Sequence, residues 1–303
     1  MKNSMINLSK AQFEKSREFI MNQGRRLEQA LFQFEFESGT TDNVVRELTR
    51  YQNDDGGFGK GLEPDLRCDA SSVLATTTAL QILSSMKVSR DHESVARAMN
   101  YLARQYSREH MGWEIIPVEA DEAPRAIWWN YQGHSPQWGN PNAEVLGYFY
   151  QYNKTLPDHI VSEITVKATQ YLDNCEELEM HEIYCYLRLA ARMSGERLNH
   201  FMKKLEHFLD LCVVVKQEDR KGYCATPLQV VDSPASLFYH KYSEAIPAEL
   251  DQIIMSQSTE GCWQPNWSWG RFEEEWKLAE TEWAGIITLN TLKTLRAFNR
   301  ISD

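Results

Sequence analysis

The sequence predicts an all-α fold in which helix pairs stack side by side and close into a ring. Three observations carry that expectation. Apolar residues recur at three- and four-residue steps through most of the 303 residues, and strand-like alternation is scarce. The periodic segments are of two kinds, apolar nearly all round or apolar on one side. A short pattern, Gln-x-x-x-Gly-x-aromatic, returns between them.

Taken in order, the helical period covers 12–36, 43–51, 70–86, 91–106, 142–152, 158–173, 180–193, 196–215, 246–256 and 279–298. VLATTTALQIL (73–83) and AGIITLNTLKTL (284–295) are apolar nearly all round, as helices packed on both sides are. HESVARAMNYLARQY (92–106) is one-sided and fits an outer layer. The two kinds alternate, with 70–86, 142–152, 180–193 and 279–298 expected inside. The best strand-like run, VVVKQ (213–217), can equally finish a helix.

The short pattern is complete twice, as Gln52, Gly56, Phe58 and as Gln257, Gly261, Trp263. Looser echoes stand at Gln105…Gly112-Trp113 and Gln217…Gly222-Tyr223. Successive glutamines lie 53, 112 and 40 residues apart, which a period near 50 with one silent repeat accounts for. One helix pair cannot bury its own apolar face, so such units must stack. Five or six pairs fit the length as a single domain, 1–303. The inner helices are too apolar to line an open groove, which favours the closed ring. The glutamine should satisfy backbone groups at a helix end while the aromatic packs beneath the turn, a brace and not a site.

Composition narrows the function classes. The formal net charge of −11 argues against a nucleic-acid partner held by its phosphates. No apolar run approaches the roughly 18 to 20 residues of a membrane span, and the first residues are too polar for a signal peptide. Six scattered cysteines without a C-x-x-C pair read as reduced thiols, so the expected location is cytoplasmic.

The Gln-x-x-x-Gly-x-aromatic repeat, with QNDDGGFG (52–59) and the inner helix after it, resembles the terpenoid cyclase and protein prenyltransferase superfamily. The resemblance spans most of the chain as a repeat and is specific in two copies. It implies an α/α toroid, two concentric rings of five to six helix pairs around a central cavity. It transfers no catalytic residue. The Asp-x-Asp-Asp acid motif of class II terpene cyclases does not occur; the nearest clusters are Glu119-Ala-Asp121-Glu122 and Glu63-Pro-Asp65. The Asp-x-Cys pair of a prenyltransferase-type zinc site, which works with a distant His, is read as absent too.

Three loops carry the chemistry-bearing residues. In GLEPDLRCDASS (61–72), Asp69 or Ser71 is a natural cap for the inner helix that follows. Capping does less to explain Glu63 and Asp65, which lie upstream with Arg67 as a possible partner. The connection 108–141 is about 34 residues long, and loops of that size in compact domains are often functional. It holds Trp113, Trp128, Trp129, Tyr131 and Trp138 beside Asp121, Glu122, Arg125 and Asn130. Two readings stand for it: a hydrophobic plug pinned by an acid–Arg pair, or the wall of a ligand pocket. The segment 261–283 adds Trp263, Trp267, Trp269, Trp276 and Trp283, with Glu280 and Glu282 expected at the start of the last inner helix. His181 and Cys185 share a helix face, but two ligands do not make a zinc site, so they read as a core histidine and a buried thiol. No metal or cofactor is expected.

Tryptophans beside carboxylates suit a developing cation, because aromatic faces attract positive charge and a carboxylate can protonate or steady it. The candidate catalytic residues are Asp65 and Asp121, with Glu63, Glu122 and Glu282. The candidate substrate-binding residues are Arg125, Trp128, Trp129, Asn130, Trp269, Trp276 and Trp283. The expected partner is a small molecule in the central cavity. The resemblance favours isoprenoid chemistry. Amides at Asn130, Gln137, Asn140, Asn142, Gln264 and Asn266 suit a hydroxylated ligand and glycoside cleavage instead. A toroid that only binds a small molecule or a protein is the third alternative.

Overall fold

The computed structural model describes residues 5–152 and 155–302. In chain order the helices are α1 (Lys10–Gln23), α2 (Arg26–Phe36), α3 (Thr41–Leu48), α4 (Val73–Ser85), α5 (Glu93–Arg104), α6 (Gly139–Tyr152) and α7 (Asp158–Asn174). They continue with α8 (Met180–Ala190), α9 (Gly195–Cys212), α10 (Pro227–Val230), α11 (Tyr239–Tyr242), α12 (Ile246–Met255) and α13 (Glu273–Ala297). Among the described residues no strand forms, only isolated bridges. The all-α class therefore holds, and Val213 at the strand-like run contributes no more than a bridge to Ala225.

Several boundaries differ from the sequence expectation: α4 begins at Val73 and is capped by Ser72, not by Asp69 or Ser71, and two differences are larger. The segment 12–36 is two helices, because Gly24 is extended at φ −67°, ψ 153° and its N–H closes α1 onto the Ile20 carbonyl. The last helix begins at Glu273, two turns earlier than expected. Three successive glutamates in its first turn complement the helix dipole, and no Gly or Pro interrupts the chain until Gly285. Trp276 is thus a helical residue and not a member of an entry loop, and Glu280, Glu282 and Trp283 lie inside the helix instead of at its start.

The chain sorts into two compact units, Thr49–Cys212, and Met1–Leu48 together with Val213–Asp303. In the first, α4, α6 and α8 pack in a row, with α5 against α4 and α6, α7 against α6, and α9 against α7 and α8. The expected alternation of buried and amphipathic helices is plain here. Eleven of the fourteen α6 residues are buried, against five of seventeen in α7. In the second unit α13 packs on both α1 and α2, and α2 on α3. Its two chain segments also meet at their ends, where Leu8 N–H donates to the Arg300 carbonyl at 2.8 Å and Ser302 N–H to the Leu8 carbonyl at 2.9 Å. The Arg300 side chain closes this latch on the Ile6 carbonyl and Asp251.

Each unit contains one complete copy of the repeat turn. Gln52 Nε2 donates to the Gly56 carbonyl at 2.9 Å and to the Ser94 carbonyl of α5 at 3.0 Å. Gln257 Nε2 donates to the Gly261 carbonyl at 3.2 Å and to the Gln12 carbonyl of α1 at 3.0 Å. The backbone N–H of the aromatic then caps into the following helix: Phe58 to Thr76 Oγ1 at 3.0 Å, Trp263 to Thr288 Oγ1 at 3.1 Å. The glycines have φ of +91° and +88°, and a Cβ on either would stand 2.5 Å from the backbone of Arg97 or Lys15. Only glycine fits.

The looser echoes diverge. Trp113 keeps the aromatic half of the device, donating its backbone N–H to Asn142 Oδ1 at 2.7 Å and its indole N–H to the Leu102 carbonyl at 2.6 Å. Gln105 is exposed and clamps nothing. At the second echo Gln217 is exposed, and Tyr223 retains half of its surface.

Candidate functional site

In the unit Thr49–Cys212 two of the expected loops come together. An isolated antiparallel bridge joins Leu66 to Arg125, with Arg67 N–H on the Pro124 carbonyl and Ala126 N–H on the Asp65 carbonyl, both at 2.9 Å. Beneath them Leu66, Cys68, Ile116 and Ala120 form a small apolar core, onto which Leu74, Trp129 and Tyr131 pack. This core is why the loops hold a fixed shape without long helices, aided by 3-10 turns at Val118–Glu122 and Ile127–Trp129.

The polar groups on this platform are tightly ordered. Buried Arg125 donates to Asp121 Oδ1 at 2.5 Å, to the Asp121 and Ala123 carbonyls at 3.0 Å and to Asn130 Oδ1 at 3.1 Å. Asp121 Oδ1 also accepts the Tyr131 N–H at 3.1 Å. The acid–arginine pin expected of this loop is therefore present, and Asp121 itself stays accessible. Asp65 is buried, Glu63 half-buried and Glu122 exposed. Trp128 keeps 45% of its surface, whereas Trp129 lies against the apolar core with its indole N–H buried and unbonded. Burial, with Glu119, Asp69 and Glu122 nearby, pushes the Cys68 thiol above its ordinary range.

The other candidates lie in the second unit. Trp269 and Trp276 are both buried, with ring centroids 5.6 Å apart. Trp283 meets Trp267 edge to face at 5.2 Å, and Tyr223 meets Trp267 at 5.9 Å. Glu282 is buried on α13. Glu280 instead faces a groove of about 640 Å³ between α1 and α13, shared with Lys15, Glu18, Phe19 and Gln264.

No family model, curated protein or solved structure matches this chain. The functional reading rests on the residues themselves.

Reading the sequence missed the polar row inside α4, α6 and α8. Glu144 is buried, and its Oε1 accepts from Gln81 Nε2 at 2.9 Å and from the Tyr148 hydroxyl at 2.8 Å. Its Oε2 pairs with Arg188 at 3.2 Å. Glu182, also buried, accepts from the Gly139 N–H at 2.9 Å and the Tyr171 hydroxyl at 2.7 Å. Burial pushes the Glu182 carboxyl above its ordinary range despite those donors. Arg192 follows one turn beyond Arg188, bonded to Gln151 and Ser84 and stacked over the Tyr148 ring. The available signal was a single glutamate inside each of two apolar helices, AEVLGYFY and HEIYCYL. Neither can be buried without partners.

Two expectations about ligating residues change. His181 is not a core residue: it lies exposed in the first turn of α8, bonded to Glu179 Oε1 at 2.7 Å, while Cys185 is buried as expected. Asp-x-Cys spacing does occur, at Asp173–Cys175 and Asp210–Cys212. Asp173 meets His200 Nε2 at 2.9 Å and Lys204 at 3.3 Å, but the Cys175 thiol sits beside Tyr171 and Glu182. Among the described residues no three His, Cys, Asp or Glu side chains converge as a metal site.

Proposed function

We propose that the chain is an α/α toroid of the terpenoid cyclase and protein prenyltransferase kind, an enzyme acting on a small molecule through a cation-like transition state. The observation that carries the fold reading is the matching bond pattern of the two glutamine turns, each binding one helix and capping another, as a stacked repeat requires. The site reading rests on the platform where Glu63, Asp65, Asp121 and Glu122 are gathered with Trp128 and Trp129. Glu282, Trp269, Trp276 and Trp283 are the second group of candidates. Exposed Asp121 serves as the carboxylate that steadies a cation, and Trp128 supplies an accessible aromatic face.

A second reading, carbohydrate chemistry, is favoured by one feature. The row Gln81, Glu144, Arg188 and Asn140 sets polar groups among the apolar helices, which suits hydroxyl groups better than a hydrocarbon chain. Thermal unfolding of the full chain against two panels, prenyl diphosphates and oligosaccharides, separates the readings. A ligand at about 100 times its Kd adds about 2.7 kcal/mol and raises the Tm by several degrees. The panel that shifts identifies the class, and Asp121→Asn should abolish turnover of that ligand while keeping its binding within tenfold. No shift with either panel moves the protein to a binding module for another partner.

A further inference from the structure

We propose that the stacked rings of His110 and His134 are a pH-sensitive latch on the loop that holds Asp121. The two imidazoles lie 3.8 Å apart, centroid to centroid, and 19° from parallel. His110 belongs to a fixed element: its turn is closed by paired bonds between Ser107 and Gly112, and the adjoining Trp113 is anchored to Asn142 and Leu102. His134 belongs to the irregular loop that follows the platform. The stack therefore ties an irregular segment to an anchored turn.

The tie leads to the candidate site through a continuous chain of contacts. His134 Nε2 stands 3.6 Å from Glu114 Oε1, and Glu114 Oε2 accepts the Tyr131 hydroxyl at 3.0 Å. The backbone N–H of Tyr131 donates to Asp121 Oδ1, the oxygen that also receives Arg125. Separating the rings withdraws His134 from Glu114 and loosens the Tyr131 segment that orders Asp121.

The charged groups facing His134 are His110, Glu114 and Glu109. The two glutamates favour a proton on His134, whereas a second proton on the stack would place like charges on rings in contact. Burial first, and His110 next, hold the His134 pKa below the ordinary imidazole range against both glutamates. The sign follows: a histidine with a depressed folded pKa favours the closed loop when neutral. That contribution is complete above about pH 6.5 and is lost as pH falls below it. Tyr131 is held above its ordinary range by its bond to Glu114, so it stays protonated throughout.

The test uses the full chain, with histidine ring NMR titration and hydrogen exchange of residues 126–137 at pH 7.5 and 5.5, corrected for intrinsic rates. We expect His134 to titrate below free imidazole and exchange to rise at least threefold at the lower pH. His110→Gln should reduce that rise and move the His134 titration upward, while His134→Gln should abolish the rise, and serves if the first variant does not fold. An ordinary or raised His134 titration, or the same acid response in wild type and variant, overturns the proposal. Because the readout is loop exchange, an acid-opening loop that takes no ligand would leave this inference standing and sink only the functional reading.

Discussion

The turns at Gln52–Phe58 and Gln257–Trp263 share a hydrogen-bonding plan but not the same set of atoms. In both, one amide nitrogen spans the turn and a neighbouring helix, and the aromatic N–H caps onto a buried threonine. The second turn adds a serine: Ser16 Oγ accepts from Gln257 at 2.8 Å and donates to the Gly261 carbonyl at 2.6 Å. Counting from the glutamine's carbonyl partner, the equivalent position on α5 is the fully buried Ala98. The difference shows which parts of the device are obligatory. Glutamine, positive-φ glycine and aromatic recur in both copies; the serine is an elaboration of one.

The aromatic should matter most. Phe58→Ala and Trp263→Ala each remove a large buried ring and should each cost about 3 to 5 kcal/mol in denaturant unfolding. Tyr223→Ala, at the half-exposed second echo, should stay within about 0.5 kcal/mol. Equal losses at all three positions would break the distinction between clamp and echo. Gln52→Ala and Gln257→Ala should come next, at about 1 to 3 kcal/mol: the first removes the side-chain donor from the Gly56 and Ser94 carbonyls, the second from the Gln12 carbonyl, while the Gly261 carbonyl keeps Ser16 Oγ. Local hydrogen exchange at Gly56 and Gly261 should rise in the matching variant alone. Ser16→Ala should cost less than either glutamine, about 1 kcal/mol, and Ser94→Ala should be near zero since only the Ser94 carbonyl takes part. A neutral Ser16→Ala would mean that the extra serine adds nothing to the shared plan.

The same contrast explains what was legible in the sequence. Gln52, Gln257 and their glycines act on backbone within a few residues or on one adjacent helix, so a local pattern betrays them. The buried and amphipathic helices were legible from period, down to the difference between α6 and α7. Gly24 was harder: a glycine within a continuous apolar period is tolerated in many helices, and only the extended backbone there makes it a break. The start of α13 was hidden because Trp267, Trp269 and Trp276 look alike in sequence, and only the glutamate run at 273–275 marks the turn into helix. Glu144 and Glu182 were illegible for a different reason. Their partners, Gln81, Arg188, Tyr148, Tyr171 and the Gly139 N–H, come largely from other helices, and no spacing rule pairs residues so far apart. At the candidate platform, the acid–arginine pin was legible because Asp121 and Arg125 are four residues apart; the bridge from Leu66 was not.

The latch between Leu8 and Ile301 has a consequence for how the protein is made. A ribosome adds about 5 to 20 residues each second, so α1 to α3 emerge about 10 to 50 seconds before α13, which packs on α1 and α2. During that interval the faces of α1 and α2 that pack on α13 have nothing to pack on, and more than two hundred residues of chain are added between them. Thr49–Cys212 is continuous and its helices can find one another in order of synthesis. The unit built from both ends cannot, and its early helices are the part of the nascent chain that most needs shielding from other molecules.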